Sequence, residues 1–76
     1  MSDEAVVYVV VEENGAATIR AGVLIKEFSN NMCLVCHDRT YELYPNKIVF
    51  FSHLVAESYV EDLMRKRQYV LIASVA

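Results

Sequence analysis

Seven consecutive apolar residues, Ala5 to Val11 (AVVYVVV), are followed two residues later by Asn14-Gly15. No other feature limits the fold so sharply. A valine-dense run stiff at χ1 disfavours a helix and suits a pleated, buried surface. Asn-Gly accepts positive φ at both positions, as the tightest hairpin turn requires. The chain therefore begins as a buried strand that reverses at Asn14-Gly15 into a second strand. Alternation outside the turn is poor, which leaves the register of that hairpin open.

The second strand is expected over Ala16 to Phe28, with Gly22 in its middle marking a bend or bulge. Ser29-Asn30-Asn31 is a turn, Met32–His37 a third strand, Asp38-Arg39 a tight reversal and Thr40–Tyr44 a fourth strand. Pro45-Asn46-Lys47 interrupts the chain before a fifth strand, Ile48–Ser52. From there the period changes. Val55, Ala56, Tyr59, Val60, Leu63 and Met64 recur in pairs between polar residues, predicting an amphipathic helix that runs to Arg67. Ser52 is its N-cap candidate. Glu61–Arg65 and Asp62–Lys66 are spaced as i,i+4 ion pairs. Tyr69 to Ala76 (YVLIASVA) reads as a closing strand. The fold class is mainly β within α+β: a small five-stranded barrel or bent antiparallel sheet, then one helix and a C-terminal strand.

Seventy-six residues make a single domain over 1–76, with strands in 5–52, the helix in 53–67 and the last strand in 69–76. Hydrophobic residues make up 55% of the chain, more than a small core readily hides. The first and last strands are apolar on both faces, and one helix covers only one face of a sheet. The expectation is an interface through Val7, Val9, Val11, Val70 and Ile72, made with further copies or with a protein partner; a well-filled core within a single chain is the alternative. The net charge of −3 lacks the basic excess that phosphate binding demands. The first thirty residues are acidic, with Asp3, Glu4, Glu12, Glu13 and Glu27 against Arg20 and Lys26. No apolar run is long enough to span a bilayer, and no charged and apolar leader opens the sequence, so the expected location is cytoplasmic.

Cys33-Leu34-Val35-Cys36-His37 has the C-x-x-C-H spacing of haem attachment, with Met64 or His53 as second axial ligand. A zinc site would need further ligands, of which His53 is the nearest candidate. Strand geometry opposes both. Residues 33 and 36 of an extended segment lie about 10 Å apart and face opposite sides, beyond the roughly 7 Å that a disulfide spans. Small buried hydrophobes are the simpler role for these cysteines, and no cofactor is expected. Cys36 beside His37 is not a catalytic dyad, because adjacent strand residues point apart. With no phosphate loop and no acid–base constellation, the chain is not expected to be an enzyme. Arg65-Lys66-Arg67, followed by Tyr69, is the one basic cluster; it could grip RNA phosphates, or simply solvate the helix end and suit its dipole.

From about Val7 to Ser52 the pattern resembles the SH3-like small barrels of the Tudor, KOW and Sm type. The segment TYELYPNKIVFFS, Thr40 to Ser52, carries most of the likeness. The resemblance implies a small barrel that binds RNA, DNA or peptides, or assembles into rings. The acidic N-terminal half and the added helix and strand depart from it. The reading is thus a non-enzymatic interaction module, a small regulatory or assembly subunit. RNA binding through Arg65, Lys66, Arg67 and Tyr69 is the alternative, and metal or haem at Cys33, Cys36 and His37 the outlying one.

Overall fold

A computed structural model describes residues 4–67 and the backbone of residues 70 and 71. Strands β1 (Ala5–Glu13), β2 (Ala16–Glu27), β3 (Met32–His37), β4 (Thr40–Pro45) and β5 (Val49–Phe50) form one antiparallel sheet in the order β4-β3-β2-β1-β5. A 3₁₀ turn, Asn46–Ile48, links β4 to β5, and helix α1 (His53–Arg67) follows. A short β6 (Val70–Leu71) runs parallel to β2 at Ala16 and Ala17. Among the described residues β4 and β5 do not pair, so the sheet is bent but not closed into a barrel.

Local sequence sets the turns. Asn14 and Gly15 both take positive φ, 52° and 73°, as a two-residue hairpin between Glu13 and Ala16 demands. Asp38 and Arg39 do the same at 50° and 65° between His37 and Thr40. Arginine is an unusual residue there. Helix α1 begins where Ser52 Oγ accepts the Val55 N–H at 3.4 Å and Ser52 O accepts the Ala56 N–H, so the expected cap forms. Arg65 pairs with Asp62 at 3.7 Å, three residues back and not with Glu61 four back.

Gly22 works differently from expectation. The register shift in β2 lies between Leu24 and Lys26, not at Gly22. A Cβ on Gly22 would stand 2.7 Å from Val35 Cγ1 and 2.9 Å from the Cys36 carbonyl oxygen. The glycine is there for close approach across the sheet.

Two apolar clusters lie on opposite faces of β1. Val10, Ala17 and Ile19 pack with Ala56, Val60 and Leu63 of the helix, flanked by Tyr8, Phe50, Tyr59 and Met64. On the other face Val7, Val9, Cys33, Val35 and Val49 pack together, with Val11, Leu24, Tyr44 and Ile48 at their margin. Tyr44 comes from one edge strand and Val49 from the other, so the bend of the sheet brings both edges over Val7 and Val9. Each fully buried valine contributes about 1.5–3 kcal/mol. The face of β1 turned away from the helix is therefore covered at Val7 and Val9 by the chain itself, contrary to the expectation. Val7 and Val9, offered from the sequence as interface residues, are 0% and 1% exposed within the protomer's own core. Val11 is half-buried at the margin of the same cluster; the Val70 side chain and Ile72 lie outside the described residues.

Candidate functional site

Cross-strand register decides which side chains share a face. Val6 stands opposite Val23, Tyr8 opposite Ala21 and Val10 opposite Ile19. Val23 in turn lies opposite Cys36, Cys36 opposite Tyr41, and Leu34 opposite Leu43. All these residues belong to the face on which α1 packs, since directly opposed residues share a side. The helix cluster, however, contains no residue of β3 or β4.

Cover stops at a definable line. Along β2, Ala17 and Ile19 are buried, Ala21 is exposed and Val23 half-buried. Along β1, Val10 is buried and Tyr8 is half-buried beneath His53, whose ring meets it edge-on at 5.2 Å. Val6, one step further, is 52% exposed. Beyond it lie half-buried Leu34 and Cys36, then Tyr41 at 63% and Leu43 at 56% exposure. Half of one sheet face is thus largely apolar and outside the cover of the helix, with exposed Lys26, opposite Leu34, as the charged residue at its margin. Single exposed hydrophobes are ordinary, whereas a contiguous apolar surface marks a place where something docks. Leu54 and Val55 add exposed apolar area on the first turn of α1.

The opposite face carries the polar side chains of the same hairpin. Glu42 lies opposite Val35, Tyr44 opposite Cys33 and Thr40 opposite His37, and Arg20 reaches in from β2. Glu42 Oε1 accepts the Tyr44 O–H at 2.6 Å and lies 2.6 Å from His37 Nε2. That short contact needs the proton on Nε2, so the 3.4 Å approaches of Arg20 and Tyr44 to the same nitrogen are contacts and not bonds to it. Arg20 Nη1 donates to Tyr44 Oη at 3.3 Å and lies 3.6 Å from Glu42. The Tyr44 hydroxyl and His37 hold the Glu42 carboxyl below the usual range, and Arg20 adds to this. Burial, then Glu42, pushes the Tyr44 phenol up. Gly22 makes the room, its missing Cβ facing His37 Cβ at 3.5 Å. Arg20, His37, Glu42 and Tyr44 thus partner one another, and among the described residues no buried side-chain polar atom lacks a hydrogen bond. The cluster ties β2 to the β3–β4 hairpin.

Residues singled out from the sequence fall into place accordingly. Cys33 is buried on the face of Val35, and burial, aided by Glu27, raises its thiol pKa. Cys36 faces the other side of β3, on the bare half. His37 shares Cys33's face but is engaged with Glu42. Among the described residues no three metal-ligating side chains gather, and no helix is long and apolar enough to cross a membrane. Arg65 and Lys66 are exposed at the end of α1; the side chain of Arg67 and all of Tyr69 lie outside the described residues. Sequence reasoning weighed Tyr41 as an exposed stacking face but missed Leu43 beside it, although their i,i+2 spacing in a strand carried the signal. It also missed Arg20 and Glu42, which only the sheet register brings together. Compared with known protein families, curated proteins and solved structures, the chain matches none.

Proposed function

We propose that the chain is a non-enzymatic interaction module, a small regulatory or assembly subunit that works through protein–protein contacts on the bare half of its helix-side face. The observation that carries this reading is the abrupt end of cover beyond Tyr8 and Ala21, with Val6, Tyr41 and Leu43 left in water. Water contact at so much apolar surface is unfavourable by roughly 25 cal/mol per Å². A small domain gains most by giving such area to another chain. The strand order, the 3₁₀ break between β4 and β5 and the return of β5 to β1 support kinship with the SH3-like barrels, opened along the β4–β5 seam.

Native mass spectrometry of the protein purified from its own host tests this, with Leu43→Asp as comparison. The wild-type chain is expected to carry a bound chain and the variant to fly alone at 8.7 kDa. A wild-type protein that is itself a lone chain, or a variant that keeps the same partner, overturns the reading.

A further inference from the structure

Asn14-Gly15 turns the chain, and it also sets an asparagine side chain before a residue that cannot shield its own nitrogen. Both residues are exposed, and a Cβ on Gly15 would meet nothing within 4 Å. In such a pair the backbone nitrogen can attack the side-chain amide. The Gly15 nitrogen bonds to Asn14 Cγ, the Cγ–Nδ2 bond breaks, and the Gly15 proton leaves with the amine as ammonia. Water then opens the five-membered imide at either carbonyl. One product is an aspartyl residue; the other is isoaspartyl, with the main chain routed through Cβ and Cγ. Asn30, Asn31 and Asn46 precede Asn31, Met32 and Lys47, whose side chains hinder the same attack.

The fold opposes this reaction. Ring closure needs the Gly15 nitrogen eclipsed with Cβ about the Asn14 Cα–C bond. The φ angles of 52° and 73° are those of a type I′ turn, where ψ of the first central residue is about +30°. At that ψ the nitrogen lies nearly trans to Cβ, out of reach of Cγ. Attack therefore waits for the tip of the hairpin to open. Opening is costly, because the turn is anchored one step below. Glu12 pairs with Ala17, Ala17 is fully buried in the cluster beneath α1, and β6 pairs with β2 at Ala16 and Ala17. An isoaspartyl residue would add one backbone atom to a turn that fits two residues, at the point where β1, β2 and β6 meet.

We infer that Asn14 is a site of spontaneous deamidation held back by the folded turn, and that isoaspartyl formation there loosens β6 from β2. The test incubates the folded chain, and the same chain unfolded in guanidinium chloride, in mildly alkaline buffer. Mass spectrometry then follows the loss of ammonia peptide by peptide. Asn14 is expected to react before any other asparagine, and at least about tenfold faster in the unfolded chain than in the folded one. Equal rates in the two states overturn the protection by the turn. An Asn14 that stays intact when unfolded, or reacts after Asn30, Asn31 or Asn46, overturns the site. The purified isoaspartyl chain is then compared with Asn14→Asp, which carries the same charge and keeps Asp-Gly in the turn. Amides of Ala16, Ala17 and Leu71 should exchange at least about tenfold faster in the isoaspartyl chain. Matching exchange in the two overturns the loosening of β6.

Discussion

The two halves of the helix-side face have similar side chains and opposite fates. Val10, Ala17 and Ile19 lie buried beneath Ala56, Val60 and Leu63, whereas Val6, Tyr41 and Leu43 face water. Strand composition does not separate them. The helix does: it packs over β1, β5 and the near end of β2, and its footprint ends before the β3–β4 hairpin. Apolar alternation in a strand therefore tells that a face will be covered, but not whether the cover belongs to the same chain.

Substitutions at matched positions put this contrast to work. Val10→Asp buries an uncompensated charge under the helix and is expected to cost about 4 kcal/mol or more, enough to unfold a domain of this size. Leu43→Asp on the bare half should change the free energy of urea unfolding of the dilute, unpartnered chain by no more than about 0.5 kcal/mol. Equal losses at both sites would erase the distinction. The next effect is smaller. Gly22→Ala forces Val35 or the Cys36 carbonyl aside and should cost about 1–3 kcal/mol, read by the same titration. It also pushes the hairpin away from Arg20, so the signals of Tyr44 and His37 should shift in an NMR spectrum. Ser52→Ala removes the cap of α1 and should cost about 1 kcal/mol while leaving the bare half unaltered.

Acid gives the gentlest probe of the β2–hairpin tie. Glu42 has a carboxyl pKa lowered in the folded protein, so the folded state binds fewer protons than the unfolded one near that pKa. Its stabilisation is complete above the ordinary glutamate value of about 4.3 and is lost as pH falls through the lower, folded value. Wild-type protein should therefore lose stability between pH 5 and pH 3 more steeply than Glu42→Gln. Parallel curves would mean that the contacts to His37 and Tyr44 contribute nothing in solution.

The sequence disclosed what is local. The Asn14-Gly15 turn, the Ser52 cap, the strand segments and the helix each follow from residues within a few positions of one another. The same strand geometry placed Cys33 and Cys36 on opposite faces of β3 before any coordinates. What depends on the return of β5 to β1 was not legible. That pairing curls the sheet so that Val49, Cys33 and Val35 bury Val7 and Val9, which the valine-rich pattern alone assigned to a partner. The Arg20–His37–Glu42–Tyr44 cluster needs the β2–β3 register as well as the hairpin turn, and a bulge near Leu24 hides that register from any count of alternating residues. Leu43 and Tyr41 were readable as one side of a strand; that the helix would stop short of them was not.

Amide hydrogen exchange on dilute protein, residue by residue, tests the bare edge most directly. With β4 uncovered in the lone protomer, the amides of Tyr41 and Leu43 should exchange at least about tenfold faster than those of Glu42 and Tyr44, which bond to β3. Uniform protection along β4 at that dilution would contradict the account, because it would mean the chain already covers the edge by itself.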